Sequence, residues 1–358
     1  MERIEQDGSQ TQAAVADAWF EASDEEYHAL RQGVALVDRS ERGKLALTGP
    51  DAVEFLHGQV TNDVRALRPG AGCYAAFLTP KGMMLGDLRV LAVGAGETEA
   101  QGAEAPAEGV AELLLDTERI TLQRLFDMIR RYRIGYRVEL HKRTLQRGLL
   151  RLAGPAARAL LCSLAPELKA LPSEEHRHLR IAVAGVAARA IACEEGEVEL
   201  LVASEERERL VGALLQAGAQ AVRQGAFEVV RVERGIPRYG FELDDRTIPQ
   251  EAGLNERAVS FTKGCYVGQE TVARLHYKGK PNRRLWGLAL EEPAPIGTPL
   301  FLGEREVGRL GSVALSPTYG PIALAILRRE CGEGDRVAVG RDGEHGHALV
   351  RPARFLPD

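Results

Sequence analysis

The feature that most constrains the fold is a change of pattern near residue 283. Before this point short strands and helices alternate, whereas after it apolar strands follow one another with glycine turns and no helical periodicity. The strands expected in this last part are Leu285–Leu290, Pro299–Leu302, Val307–Leu315, Pro321–Leu327, Arg336–Gly340 and Ala348–Arg351. Several short strands separated by glycine turns are typical of a small barrel. The sequence therefore predicts a C-terminal β-barrel over residues 283–358.

The preceding part, residues 23–282, is expected to be an α+β region. Tyr74–Leu78 and Met83–Val93 read as the two strands of a hairpin, and Val198–Val202 as a later strand. No glycine-rich nucleotide fingerprint follows any of these strands. Hairpins mixed with strand–helix alternation favour the α+β class. The polar residues 1–22 are expected to form a flexible N-terminus.

Composition and charge exclude several classes of protein. Of 358 residues, 45% are hydrophobic and 27% charged, which suits a soluble globular protein with a substantial core. No apolar run approaches the roughly 20 residues that span a bilayer, and the polar N-terminus does not resemble a signal peptide, so a cytoplasmic location is expected. The net charge of −5 gives no overall footprint for nucleic acid, and such a partner would need a local basic patch.

The cysteines are scattered along the chain without a CxxC pair or a zinc-finger spacing. Neither a disulfide framework nor a four-cysteine metal cage within one chain is therefore expected. The five positions are Cys73, Cys162, Cys193, Cys265 and Cys331.

The segment Lys263–Glu270 holds the densest set of chemically useful side chains. Gly264 and Gly268 bracket Cys265 and Tyr266, so the backbone there can turn tightly and approach a ligand closely. The alternative is a structural turn in which Cys265 is only a small buried hydrophobe. The clustering of glycine and polar residues favours a functional site.

The chemistry of Cys265 has more than one interpretation. Lys263 lies two residues earlier, where a cation would stabilise the thiolate and raise its reactivity. Gln269 and Glu270 could place an amide and a carboxylate at the same site. His276 is the nearest histidine in sequence, but sequence alone does not show that it lies near the thiol. The thiol could equally be an iron ligand or a redox group, although a single cysteine supplies one ligand only.

This segment also carries a family resemblance. The run Phe261–Arg274 resembles the KGCYxGQE signature of the YgfZ family, which includes mitochondrial iron–sulfur assembly proteins and belongs to the superfamily of the glycine-cleavage T-protein. The resemblance extends from about residue 20 and implies a folate-binding fold of interleaved α+β subdomains, one of them over about 50–145, with a C-terminal β-barrel. Other segments similar to the family are Val37–Ser40, Thr61–Val64, Arg231–Pro237 and Ile248–Leu254.

The resemblance further implies residues that bind tetrahydrofolate. Asp87 matches a catalytic aspartate that the T-protein holds near the reactive folate nitrogens, although Gly86 replaces the aspartate that precedes it there. Tyr74 matches a folate-contacting tyrosine, with ordinary strand packing as the alternative. Glu199 matches the carboxylate that would accept two hydrogen bonds from the pterin, with a solvated strand position as the alternative. The signature residues expected at the cofactor are Lys263, Tyr266 and Gln269, and Cys265 is the expected catalytic thiol.

Basic residues are concentrated between Arg274 and Arg284. The simplest interpretation is a solvated linker into the barrel. The same residues could instead meet a polyglutamate tail, an acidic partner or RNA, but no aromatic residues are interleaved as in single-strand-binding surfaces.

Two functions of different classes follow from the resemblance. The first is a tetrahydrofolate-binding accessory protein in iron–sulfur cluster assembly or repair, which would support cluster enzymes such as those that modify tRNA and would require Cys265. Its partners would be folate and iron–sulfur enzymes or assembly proteins. The alternative is a tetrahydrofolate-dependent one-carbon transferase, an aminomethyltransferase or demethylase, which Asp87 favours and Gly86 disfavours. A folate-binding scaffold without chemistry of its own is a third possibility.

Overall fold

The computed structural model describes residues 19–97 and 109–356, which form three β-sheets with helices packed against them. None of the helices in these ranges is long and apolar enough to cross a membrane. The helices are α1 Asp24–Gln32, α2 Ala52–Gln59, α3 Leu122–Tyr132, α4 Ala157–Leu164, α5 Arg207–Gln216, α6 Gln224–Glu233, α7 Asn255–Ala258 and α8 Gln269–Lys278.

The strands are distributed over the whole described chain. Those before residue 222 are β1 Phe20–Glu21, β2 Ala35–Asp38, β3 Gly43–Thr48, β4 Gly72–Leu78, β5 Met84–Gly94, β6 Val110–Thr117, β7 Glu139–Lys142, β8 Arg147–Ala153, β9 His178–Val183, β10 Val186–Ala192, β11 Val198–Ala203 and β12 Gln220–Ala221. Those after residue 282 are β13 Arg283–Leu290, β14 Pro299–Leu302, β15 Arg305–Arg309, β16 Val313–Ser316, β17 Gly320–Arg328, β18 Arg336–Val339 and β19 His347–Arg351.

The first sheet is antiparallel, with the strand order β4–β5–β6–β3–β7. Its register places Arg89 of β5 directly between Tyr74 of β4 and Asp116 of β6. Because side chains alternate along a strand, Asp87 lies on the same face as Arg89. The other face carries apolar side chains such as Leu88 and Val90, which pack with α2 and α3 in a buried core. One face of this sheet is therefore apolar, and the other carries charge.

The second sheet has the order β12–β2–β8–β11–β10–β9. Its strand β2 precedes the first sheet in sequence and its other strands follow it, so the two sheets are interleaved along the chain. Glu199 of β11 lies directly between Arg151 of β8 and Ile191 of β10. Its neighbours Val198 and Leu200 point to the opposite face and join a core with α4 and α5.

The third sheet confirms the C-terminal barrel, and the three sheets together confirm the α+β class. Its order is β1–β16–β17–β13–β19–β18–β14–β15. A Cβ atom on Gly308 of β15 would lie only 2.7 Å from the carbonyl oxygen of Ile326 in β17, so the end strand lies against an inner strand of the same sheet. The sheet therefore curls around its core instead of lying flat.

One predicted barrel strand is wrong. The run Val307–Leu315 is split into β15 and β16, because the backbone between them changes partners. The amide of Gly311 donates to the carbonyl of Leu324, and that of Ser312 donates to the Glu242 carboxylate at 2.6 Å. The apolar pattern continues through this break, so the break leaves no mark in the sequence.

The start of the described chain differs from the flexible segment expected over residues 1–22. Phe20 and Glu21 form a strand that pairs in parallel with Ala314 and Leu315 of the barrel. The ring of Phe20 packs edge-on against that of Phe241, with 5.5 Å between ring centroids, which holds the strand in place. Residues 1–18 lie outside the described residues.

Gly235, just after α6, allows the chain to approach the C-terminal tail closely. Its φ is +69°, and a Cβ atom there would lie 2.5 Å from the carbonyl group of Ala353. We expect Gly235→Ala to lower the free energy of unfolding by about 2–3 kcal/mol, because it adds backbone strain and a clash that cannot relax easily. Gly212→Ala in α5, where a Cβ would meet no atom within 4 Å, is the matched control and should raise stability by about 0.5–1 kcal/mol. Urea denaturation followed by circular dichroism would measure both, and equal effects would contradict the predicted role of Gly235.

Candidate active site between the two α+β sheets

A buried arginine joins the charged faces of the first two sheets. Nη1 of Arg89 lies 2.6 Å from Oε2 of Glu199 in the second sheet, and Nη2 donates to Oδ2 of Asp116 in the first at 2.7 Å. All three side chains are buried. A buried charge is tolerated only when it is paired, so each of these groups depends on the others.

Glu199 contacts two further arginines. Its Oε1 lies 3.4 Å from Arg151 and 3.6 Å from Arg39. Burial by itself would raise the pKa of Glu199, but Arg89, Arg151 and Arg39 together hold this pKa well below its usual range. The alternative of a solvated strand position is wrong, because only 2% of Glu199 is exposed. Both carboxylate oxygens face guanidinium groups, so a pterin would compete with these arginines for Glu199.

The ion pairs continue from Glu118 towards helix α6. Glu118 contacts Arg42 and accepts two hydrogen bonds from Arg238, at 2.8 and 3.0 Å. Burial would raise its pKa, but these arginines lower it to about 2. Arg238 also donates to Glu228 of α6 at 2.8 Å. The network therefore ties the strands of the first sheet to the helix that packs against the barrel.

Tyr74 and Asp87 form a direct pair on the charged face of the first sheet. The Tyr74 hydroxyl donates to Oδ2 of Asp87 at 2.5 Å. Burial raises the pKa of Asp87 to about 6, against the hydrogen bond from Tyr74, which lowers it. The Arg257 guanidinium lies 5.7 Å from the centroid of the Tyr74 ring. Asp87 is thus a carboxyl group that changes protonation close to neutral pH.

The position before Asp87 has no room for a second acid. A Cβ atom on Gly86 would lie 2.5 Å from the ring of Phe77 and 2.8 Å from Cβ of Thr121. An aspartate there, as in the T-protein pattern, would therefore require the neighbouring side chains to move. The position before Asp87 therefore supplies no second acid.

The side chain of Lys263 binds backbone carbonyl groups far away in the sequence. Its ammonium is buried and donates to the carbonyl oxygens of His57, Val60 and Asn62 at 2.5, 2.6 and 3.0 Å. Burial lowers its pKa to about 8. The side chain therefore fastens the signature segment to the end of helix α2.

The remaining signature residues divide between the core and the surface. Tyr266 is buried beside Met84, and burial raises the pKa of its hydroxyl to about 12. Cys265 is exposed. Gln269 opens α8, and its amide lies 3.5 Å from the carbonyl of Gly264.

The signature segment docks on the hairpin that carries Tyr74 and Asp87. Gly268 has a φ of +84°, and a Cβ atom there would lie 2.6 Å from the carbonyl oxygen of Thr79 in the β4–β5 turn. Tyr74 and Asp87 form one direct contact, and Arg89, the strand partner of Tyr74, forms an ion pair with Glu199. Within the described part of the chain, no contact joins Cys265 to this group.

Sequence reasoning missed the arginines of the site. Arg89 and Arg151 stand in strongly apolar strands, where charged residues at alternate positions point to one buried face. Arg39 lies in a short segment, Val37–Ser40, that had been noted only for its family resemblance. A charged side chain in an otherwise buried strand was the available signal.

The fold and the site together define a class of protein: interleaved α+β sheets that enclose a buried ionic site, followed by a barrel. The chain belongs to the GCVT family, because residues 6–263 match the family model described as the GCVT N-terminal domain.

Known proteins with similar sequences include two aminomethyltransferases. The chain is 30% identical to that of Rippkaea orientalis over 345 residues, which covers 92% of this chain and 88% of that protein. It is also 30% identical to that of Rubrobacter xylanophilus over 339 residues, or 93% and 84% of the two chains. The crystal structure of the glycine cleavage system aminomethyltransferase T from Bartonella henselae superposes with a TM-score of 0.77 and 22% identity, over 97% of this chain and 96% of that one. This likeness shows that the fold is that of the T-protein.

The placement of Glu199 among three arginines has a consequence for stability. We expect Glu199→Gln to lower the free energy of unfolding by about 3 kcal/mol, because it leaves buried guanidinium charge uncompensated. Glu54→Gln, which removes the exposed partner of Arg65, is the control and should change stability by less than about 0.5 kcal/mol. Chemical denaturation of both variants tests this. An unchanged stability in Glu199→Gln would show that the carboxylate is not needed by the ion network.

Proposed function

We propose that the protein is a tetrahydrofolate-dependent one-carbon transferase of the aminomethyltransferase type, with Asp87 as its proton acceptor. The observation that carries this proposal is the hydrogen bond from Tyr74 to the buried Asp87, whose pKa is raised to about 6. A carboxyl group with a pKa near the working pH can both take up and return a proton efficiently. The 30% identity to aminomethyltransferases along nearly the whole chain supports the same function.

The residues at the site fit part of a folate molecule. Bound tetrahydrofolate would supply the nitrogen that receives the one-carbon unit. Asp87 would accept the proton which that nitrogen loses, and Tyr74 would hold the carboxylate in place through its hydroxyl. Glu199 is better suited to fix Arg89 than to bond the pterin, since arginines already face both of its oxygens.

The packing around Gly86 supports a mechanism with a single acid. There is no space for an adjacent aspartate, and the carboxylate that adds to the raised pKa of Asp87 is the more distant Glu118. Burial alone accounts for most of the raised pKa of Asp87. The same carboxyl group would therefore serve throughout the transfer.

The role of Asp87 predicts a pH dependence. With tetrahydrofolate and an aminomethyl thioether as substrates, kcat/KM should rise with pH through about 6 and then level off, because the deprotonated carboxyl is the active form. Asp87→Asn should reduce kcat by at least about 100-fold and remove this inflection, while tetrahydrofolate still binds in calorimetry.

The assay would follow the release of ammonia and the formation of methylenetetrahydrofolate. Asp63→Asn, a partly exposed aspartate outside the Tyr74 pair, is the control and should keep the wild-type profile. Equal turnover by Asp87→Asn and the native protein would rule out Asp87 as the proton acceptor. An absence of tetrahydrofolate binding by the native protein would overturn the whole proposal.

The exposed thiol of Cys265 favours a second candidate function. The signature Lys263–Glu270 is similar to that of YgfZ-type proteins, and its cysteine is presented on the surface instead of being buried in a turn. An exposed thiol can meet a partner protein or an iron ion, whereas the Asp87 carboxyl group is buried. This arrangement supports an accessory role in iron–sulfur cluster assembly or repair, with folate as a bound ligand.

The second candidate can be tested by complementation. In a bacterial strain whose cluster enzymes fail through loss of its own KGCYxGQE-type protein, the native chain should restore the activity of those enzymes. Cys265→Ala should leave it near background, because the thiol is the group that acts on the partner. Cys162→Ala is the control and should restore it fully, since Cys162 lies on helix α4 outside the signature. Full restoration by Cys265→Ala would reject the role of the thiol.

A further inference from the structure

A cleft of about 370 Å³ opens between the first two sheets, and neither Tyr74 nor Asp87 lines it. Its walls come from strands β8 to β11, from Leu114 of β6 and from the beginning of helix α5. The volume lies in the range of small-molecule sites. Four arginines line it: Arg147, Arg180, Arg189 and Arg209.

The strand register brings these arginines together on one face. Arg189 of β10 lies directly opposite Arg180 of β9, and Arg147 of β8 lies opposite Ala203 of β11. Like charges directly opposite each other on neighbouring strands are unfavourable. Small residues beside them, such as Ala187 and Ala203, leave open space instead of filling the cleft.

The carboxylates near the cleft neutralise only part of this charge. Glu97 accepts a hydrogen bond from Arg189 at 2.8 Å, and Glu206 accepts one from Arg209 at 3.2 Å. No carboxylate within residues 19–97 and 109–356 forms an ion pair with Arg180. Arg180 therefore adds a positive charge to the cleft that no carboxylate in the described part of the chain neutralises.

Two further observations agree with this positive charge. Burial lowers the pKa of Arg147; Glu205 opposes the change, and repulsion from Arg189 and Arg180 adds to it. The cleft is also lined by Glu206 and Arg209 at the start of the ten-residue helix α5, whose free amides favour anions.

We propose that this cleft binds a small oligoanion that carries two or more carboxylate or phosphate groups. Guanidinium groups bind both kinds of anion through paired hydrogen bonds. Neighbouring strands are about 4.8 Å apart, so the arginines suit a ligand with several anionic groups in a row better than a single monovalent ion. Such a ligand could be an oligo-γ-glutamate chain or a phosphorylated compound, which share this chemistry.

Titration calorimetry with two probes tests the site directly. Inorganic triphosphate and tri-γ-glutamate would each be titrated into the full chain at low salt. At least one probe should bind with a stoichiometry of one, and added salt should weaken it. The double variant Arg180→Gln/Arg209→Gln should weaken binding by at least about tenfold, because it removes two guanidinium donors.

A matched control separates a built site from general electrostatic attraction. Arg305→Gln/Arg309→Gln removes the same charge from barrel strand β15 and should leave the affinity unchanged. Tighter binding of tri-γ-glutamate would assign the site to a carboxylate chain, and tighter binding of triphosphate to a phosphate compound. Failure of both probes to bind at millimolar concentration would overturn the proposal, as would an equal loss of affinity in both double variants. Neither probe contains a pterin, so the outcome is independent of folate binding.

Discussion

The structure depends on the ion pairs that Arg89 makes in the space between two sheets. This one side chain meets Asp116 in its own sheet and Glu199 in the other, and all three are removed from water. Apolar side chains could have filled this space without the free-energy cost of burying charged groups. A charged interface instead fixes the relative position of the sheets, because each ion is strongly destabilised if its partner moves away.

The ion pairs of Arg89 also bear on how Asp87 and Cys265 are positioned. Asp87 lies two residues before Arg89 in β5, on the same face of the sheet. The ion pairs of Arg89 therefore fix the strand that carries Asp87 without neutralising the Asp87 carboxyl group. Tyr74 supplies the hydrogen bond, and burial supplies the raised pKa. Lys263 fastens the signature segment to helix α2 and leaves Cys265 at the surface. A buried carboxyl group and an exposed thiol are thus held by one framework.

Most of the fold could be predicted from the sequence because its strands and turns follow from local residue patterns. The hairpin with Tyr74 and Asp87 and the C-terminal barrel follow from alternation and glycine turns. The division of Val307–Leu315 could not be predicted, since it depends on hydrogen bonds to residues far along the chain. The hydrogen-bond acceptors of the Lys263 ammonium could not be predicted either, because they are about 200 residues away in sequence.

The strand β1 has a consequence for the order in which the protein is made. Phe20 and Glu21 leave the ribosome long before their partners Ala314 and Leu315 are synthesised. Until β16 is made, β1 has no strand to pair with. Their pairing closes a loop of about 300 residues, and the entropy cost of this closure is not offset by local contacts. Strand β1 therefore joins the sheet only after β16 has been made, so removal of either strand leaves the edge of its partner unpaired.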